Sequence, residues 1–151
     1  MPRYAFLVAV FGVICLAGAQ AQQATAQFQT GRCSPAPGSD KWPLVQVYFD
    51  TGSAKIRAAD EKKIAEAAKL AKDNFIQQIC LMGVADKQGD AKANERLANQ
   101  RAQNVGQVLV KGGVAASAIL LQPLGEPGGT VLGGVQRGAQ ADRRVDIRFA
   151  R

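Results

Sequence analysis

Between residues 91 and 111 a positive charge lies in the middle of an apolar helical stripe. At about 100° per residue, Asn94, Leu97, Ala98, Arg101, Val105, Val108 and Leu109 fall within roughly 120° of one helix side. Lys92, Glu95, Arg96, Asn99, Gln100 and Gln103 fall on the other side. Such a helix needs a second layer to cover its apolar side. It also needs a partner for Arg101, because a buried charge without one is costly.

The stretch just before it, Gly83-Val-Ala-Asp-Lys-Gln-Gly89, reads as a strand end and a tight loop holding Asp86. Asp86 accepts from an ammonium, whereas the Arg101 fork pairs bidentately with a carboxylate. Asn94, on the same helix side, adds a donor and an acceptor. Together they suit a zwitterion carrying an amine and a carboxylate on one carbon. The alternative is structural: Asp86 and Arg101 pair with each other, or Arg101 bonds helix-cap carbonyls.

The rest of the chain supplies the second layer. Residues 44–49 are apolar, aromatic and β-branched, as in a strand, and Asp50-Thr-Gly-Ser53 is a turn. Ile64, Ala67, Ala68, Ala71 and Phe75 then follow helical spacing. Residues 76–82 read as a strand with Ile79 and Leu81 on one face and Cys80 on the other. After the helix over 91–111, stopped by Gly112-Gly113, come a strand at 119–124, a Gly-rich loop to about residue 141, and a strand at 145–149. The order β-α-β-α-β-β makes an α+β two-layer sandwich with the helices on one sheet face.

Ahead of this domain, placed at 44–151, residues 1–21 have a basic start, an apolar run short for a bilayer and an Ala-x-Ala site. This is the pattern of a secretory signal peptide. Cleavage is expected after Ala21; the alternative is an uncleaved anchor, the one route to membrane contact. Residues 22–43, Gln- and Ala-rich and then Gly- and Pro-rich, are expected to be a flexible linker. Cleavage leaves Cys33 and Cys80, which in an exported chain most simply form a disulfide; the alternative is two free thiols.

The chain of 151 residues has no His. That excludes Ser–His and Cys–His catalysis and argues against a zinc site, so no metal, cofactor or enzymatic activity is expected. The formal charge of +7 is spread among interspersed residues without a basic-aromatic stripe, so nucleic acid is not an expected partner.

Four motifs occur in order: Tyr48-Phe-Asp-Thr-Gly-Ser-Ala54, Gly83-x-x-Asp86-x-x-Gly89, Asn94-x-x-Leu97-x-x-x-Arg101-Ala102, and Arg143-Arg144-Val145-Asp146-Ile147. The chain resembles the OmpA-like peptidoglycan-binding domain family from about residue 44 to 149. The resemblance implies a periplasmic domain that binds peptidoglycan through the diaminopimelate of its stem peptide. It implies that Asp86 holds the ligand's ammonium and Arg101 its carboxylate, with Asn94 and Leu97 lining the pocket. Asp50 and Thr51 would give backbone contacts, and Arg143 or Arg144 would border the site. The chain departs from the family pattern at Val84-Ala85, where His-Thr is usual, and at Ala98, usually Ser. It departs again at Gly138-Ala-Gln140 for Gly-Arg-Ala, and at Asp142, usually Asn. These departures motivate the alternative function, an envelope protein-interaction module that has lost peptidoglycan binding.

Overall fold

The computed structural model describes residues 26–33, 41–85, 90–125 and 142–150. The segment expected to be a signal peptide lies outside them. The described elements are β1 (Gln29–Thr30), β2 (Val45–Tyr48), α1 (Ala58–Asp73), β3 (Gln78–Val84), α2 (Ala91–Lys111), a 3-10 turn (Ala116–Ala118), β4 (Ile119–Gly125) and β5 (Arg144–Ala150). They form one sheet in the order β1-β4-β3-β5-β2. β3 runs at its centre, parallel to β4 and antiparallel to β5. β2 closes one edge against β5.

Alternation builds the core. Val47, Ile79, Leu81, Ile119, Leu121, Val145, Ile147 and Phe149 are buried under the helices, which supply Ile64, Ala67, Ala68, Ala71, Ala102, Val105 and Leu109. The expected α+β sandwich of β-α-β-α-β-β order, with both helices on one face, is the architecture found. The small side chains bring the helices close: a Cβ on Gly112 would lie 2.6 Å from the Ala68 methyl.

Three features differ from expectation. First, part of the stretch expected to be linker is β1, an edge strand parallel to β4. Phe28 packs partly buried against the core, its ring over Gly106 of α2. Polar Gln29 and Thr30 carry no strand pattern of their own; the open edge of β4 and the bridge at Cys33 order them.

Second, Phe75 is not in the apolar stripe of the first helix. α1 ends at Asp73, and Phe75 is 78% exposed at φ 53°. Its N–H donates to Lys72 O at 3.1 Å, and the Ile76 N–H to Ala71 O at 2.9 Å. This is a Schellman end with Phe75 in the left-handed position, so Ile76, next in sequence, turns toward the core instead. α2 ends the same way, with Gly113 at φ 93° and Val114 tucked under.

Third, β3 runs two residues beyond the expected 76–82, taking in Gly83 and Val84. A Cβ on Gly83 would collide with the Ala98 carbonyl. The glycine is there because α2 lies against the strand, not because the chain turns.

Candidate functional site

Arg101 is the largest fully buried side chain among the described residues, with no exposed surface. It sits where three segments meet. Nε donates to Ser53 O at 2.9 Å, Nη2 to Asp50 O at 3.1 Å and Nη1 to Val84 O at 3.3 Å. The guanidinium lies over the Phe49 ring, 5.2 Å from its centroid, a cation–π contact. One turn on, Asn104 Nδ2 donates to Ala54 O at 2.8 Å. α2 thus holds the 50–54 turn from above with two side chains, and Arg101 fastens the same turn to the end of β3.

These carbonyl contacts belong to the structural role that the sequence left open for Arg101, although the carbonyls come from the turn and the strand end rather than from a helix cap. They also fix the guanidinium beside the end of β3. Asp86 itself lies outside the described residues. It follows Ala85, buried at 1% exposure, and precedes Asp90, whose carboxylate caps α2 by accepting from the Ala93 N–H at 2.8 Å. That cap starts the helix four residues before Asn94.

Asn94 is buried at 7% exposure, two turns before Arg101 and on the same helix side; Leu97, between them, is half-buried. Asp50 and Thr51 are exposed turn residues. Asp50 takes part through its carbonyl, which accepts from both Arg101 and the Ser53 N–H.

The arginine pair stands at the start of β5. The Arg143 carbonyl accepts from the Phe49 N–H at 2.9 Å, tying β5 to the strand that enters the 50–53 turn. The Arg144 side chain turns to the helix-free face of the sheet. There Nε donates to Asp146 Oδ1 at 3.0 Å and Nη1 stands 3.7 Å from Asp142 Oδ1. Gln46 Nε2 also donates to Asp146 Oδ1 at 3.0 Å, and the Tyr48 hydroxyl to Gln46 Oε1 at 3.0 Å. Arg144 therefore lies across the sheet from Arg101, joined to a polar network on the other face.

The structure joins Cys33 and Cys80 in a disulfide with Cα atoms 5.9 Å apart. Cys80 faces the helix-free side, as the alternation along β3 requires. Among the described residues no group of three or more His, Cys, Asp or Glu side chains is placed to hold a metal ion.

Ser53, Asn104, Phe49 and the Asp90 cap have parts in the site that were not expected from the sequence. Asn104 was legible, since it lies three residues after Arg101 on the same helix side. Asp90, directly before a periodic apolar run, was a standard start signal. The roles of Ser53 and Phe49 depend on the approach of distant segments and had no local signal.

The model of the OmpA family matches residues 48–141. Probable lipoprotein YiaD of Escherichia coli (strain K12) is 32% identical over 101 residues, 67% of this chain and 46% of that protein. The chain thus spans about half the length of this curated relative. Among solved structures, the peptidoglycan-associated lipoprotein from Burkholderia pseudomallei is similar with a TM-score of 0.60 at 25% identity, over 69% of this chain and 88% of that one. The C-terminal domain of Helicobacter pylori MotB gives a TM-score of 0.59 at 22% identity, over 71% and 84%, a likeness of fold.

Proposed function

The chain belongs to the OmpA family, and from that premise we propose that its domain binds peptidoglycan non-covalently, through the diaminopimelate of the stem peptide, without catalysis. In this reading Arg101 takes the ligand's carboxylate and Asp86, two residues after the end of β3 in sequence, its ammonium. Asn94 and Leu97 line the pocket between them. Asp50 and Thr51 offer backbone contacts from the turn, and Arg143, at the entry to β5, buttresses the rim, whereas Arg144, expected beside the site, is paired with Asp146 on the helix-free face and takes no part. Residues 1–21 direct export, and the domain works in the periplasm; membrane contact follows only if that segment is retained.

One observation carries the reading. The Arg101 guanidinium is fixed by carbonyls of the 50–53 turn and of Val84, two residues before Asp86, and because it has no exposed surface the site opens before a carboxylate reaches it. A fork fixed in this way loses little freedom on meeting a carboxylate.

The test is co-sedimentation of the chain with isolated cell-wall sacculi, with free diaminopimelate as competitor. Asp86→Asn and Arg101→Lys keep the size of the site while removing one charge or the fork. Each is expected to weaken binding about tenfold to a hundredfold, the loss of one charge-assisted contact. Sedimentation of both variants like the parent would overturn the site assignment.

The second reading, an envelope protein-interaction module without wall binding, rests on a specific observation. Val84, Ala85 and Ala98 replace the family's polar residues, and all three are buried, at 3%, 1% and 0% exposure. Absence of sacculus binding together with specific capture of another envelope protein would favour it.

A further inference from the structure

The segment 26–33 is held to the domain by little besides one covalent bond. β1 is two residues long and registers with Leu120 and Leu121 of β4. Beyond it, the Gly31 N–H donates to Leu121 O at 2.9 Å and the Cys33 N–H to Gln122 Oε1 at 2.8 Å. The segment's one large apolar side chain, Phe28, is partly buried over Gly106. Ordering eight residues costs backbone entropy at each of them, which a few edge hydrogen bonds and one half-buried ring recover poorly.

The two halves of the bridge differ. Cys33 is half-exposed, whereas Cys80 is buried at 6% exposure in the central strand. Arg148 of β5 is the cross-strand partner of Cys80, and its buried Nε has no hydrogen-bond partner. A neighbouring guanidinium stabilises the negative charge that forms on the departing sulfur.

We propose that the Cys33–Cys80 disulfide is a redox latch on the N-terminal segment, opened by an external dithiol. A thiolate of the dithiol attacks Cys33 Sγ, forming a mixed disulfide and expelling Cys80 as a thiolate beside Arg148, where it takes up a proton. The second thiol of the reductant then attacks its partner sulfur in the mixed disulfide. The reductant leaves as its own disulfide, Cys33 is released as a thiol, and two electrons have passed to the protein. Freeing residues 26–33 adds up to about 26–29 Å of reach to whatever precedes them. It also bares Gly106 and the β4 edge at Leu120–Gln122, a strand edge able to pair with another chain. The β4-β3-β5-β2 sheet and both helices stay folded. This latch does not depend on wall binding.

Native-state hydrogen exchange tests it, comparing the oxidised chain, the same chain in millimolar dithiothreitol, and the Cys33→Ser/Cys80→Ser variant. The Gly31 amide is expected to exchange at least tenfold faster without the bridge, while Leu81 and Ile147 remain protected. Unchanged protection of Gly31 would overturn the proposal. So would joint loss of protection at Gly31, Leu81 and Ile147, which would make the bridge a staple for the whole fold. Thiols that react only in denaturant would overturn it as well. Arg148→Gln is expected to slow reduction by dithiothreitol several-fold, and an unchanged rate removes Arg148 from the latch.

Discussion

At Arg101 the desolvation of a guanidinium is offset by three carbonyls and the face of Phe49. The side chain is therefore structural whatever ligand it meets. Arg101→Ala leaves the Ser53, Asp50 and Val84 carbonyls without this donor. Hydrogen bonds to charged groups contribute roughly 1.5–3 kcal/mol each, so the variant is expected to lose about 3 kcal/mol or more in urea denaturation. A loss below about 1 kcal/mol would show that the cradle adds nothing to stability. Gly83 gives a second residue-level test. Its missing Cβ lets the Ala98 carbonyl of α2 approach β3, and Gly83→Ala must part helix from strand. Overpacking of this kind costs about 1–3 kcal/mol, read as a lowered thermal midpoint. Both residues were visible in the sequence as oddities, a charge in an apolar stripe and a glycine at a strand end. Neither explanation was, because the carbonyls and the helix backbone that account for them come from elsewhere in the chain.

Element boundaries were legible where periodicity is long. α2 spans the expected 91–111 because its stripe runs for several turns and a glycine pair stops it. Periodicity overruns the C-terminus of α1, where Phe75 continues the spacing but falls in the left-handed position of the cap. The start of α1 carries its own device. Asp60, 1% exposed, accepts from Arg57 Nε and Lys63 Nζ, each at 2.8 Å. Burial pushes its carboxyl up, but the hydrogen bonds from Lys63 and Arg57 and their charges outweigh this and hold it below the usual carboxylate range. A carboxylate with a depressed folded value stabilises fully above its unfolded value of about 3.9 and loses that contribution as pH falls through the folded value. Asp60→Asn is therefore expected to be less stable than the parent at pH 7, and to lose less stability on acidification to about pH 3. Denaturation curves of both proteins at the two pH values decide this; parallel losses would remove Asp60 from the acid response.

For the whole molecule, the bridge spans a sequence separation of 47 residues. Chain-entropy arguments put the stabilisation from closing such a loop at about 4 kcal/mol. If reduction also frees residues 26–33 in the folded state, the folded protein regains part of that entropy. The measured loss of global stability on reduction is then expected to fall short of about 4 kcal/mol; a larger loss would mean that the sheet itself depends on the bridge. The sequence alone determined the two layers, the order of the main strands and helices, and the inward face of each, because alternation and helical spacing are local patterns tied to burial. It also marked Arg101, since a charge among apolar neighbours stands out in one dimension. Only the tertiary structure decided what Arg101 touches, why Gly83 has no side chain, that Arg144 faces away from Arg101, and that Gln29 and Thr30 form a strand. Each of these depends on a surface contributed by a distant segment, and no run of neighbouring residues encodes which surface arrives.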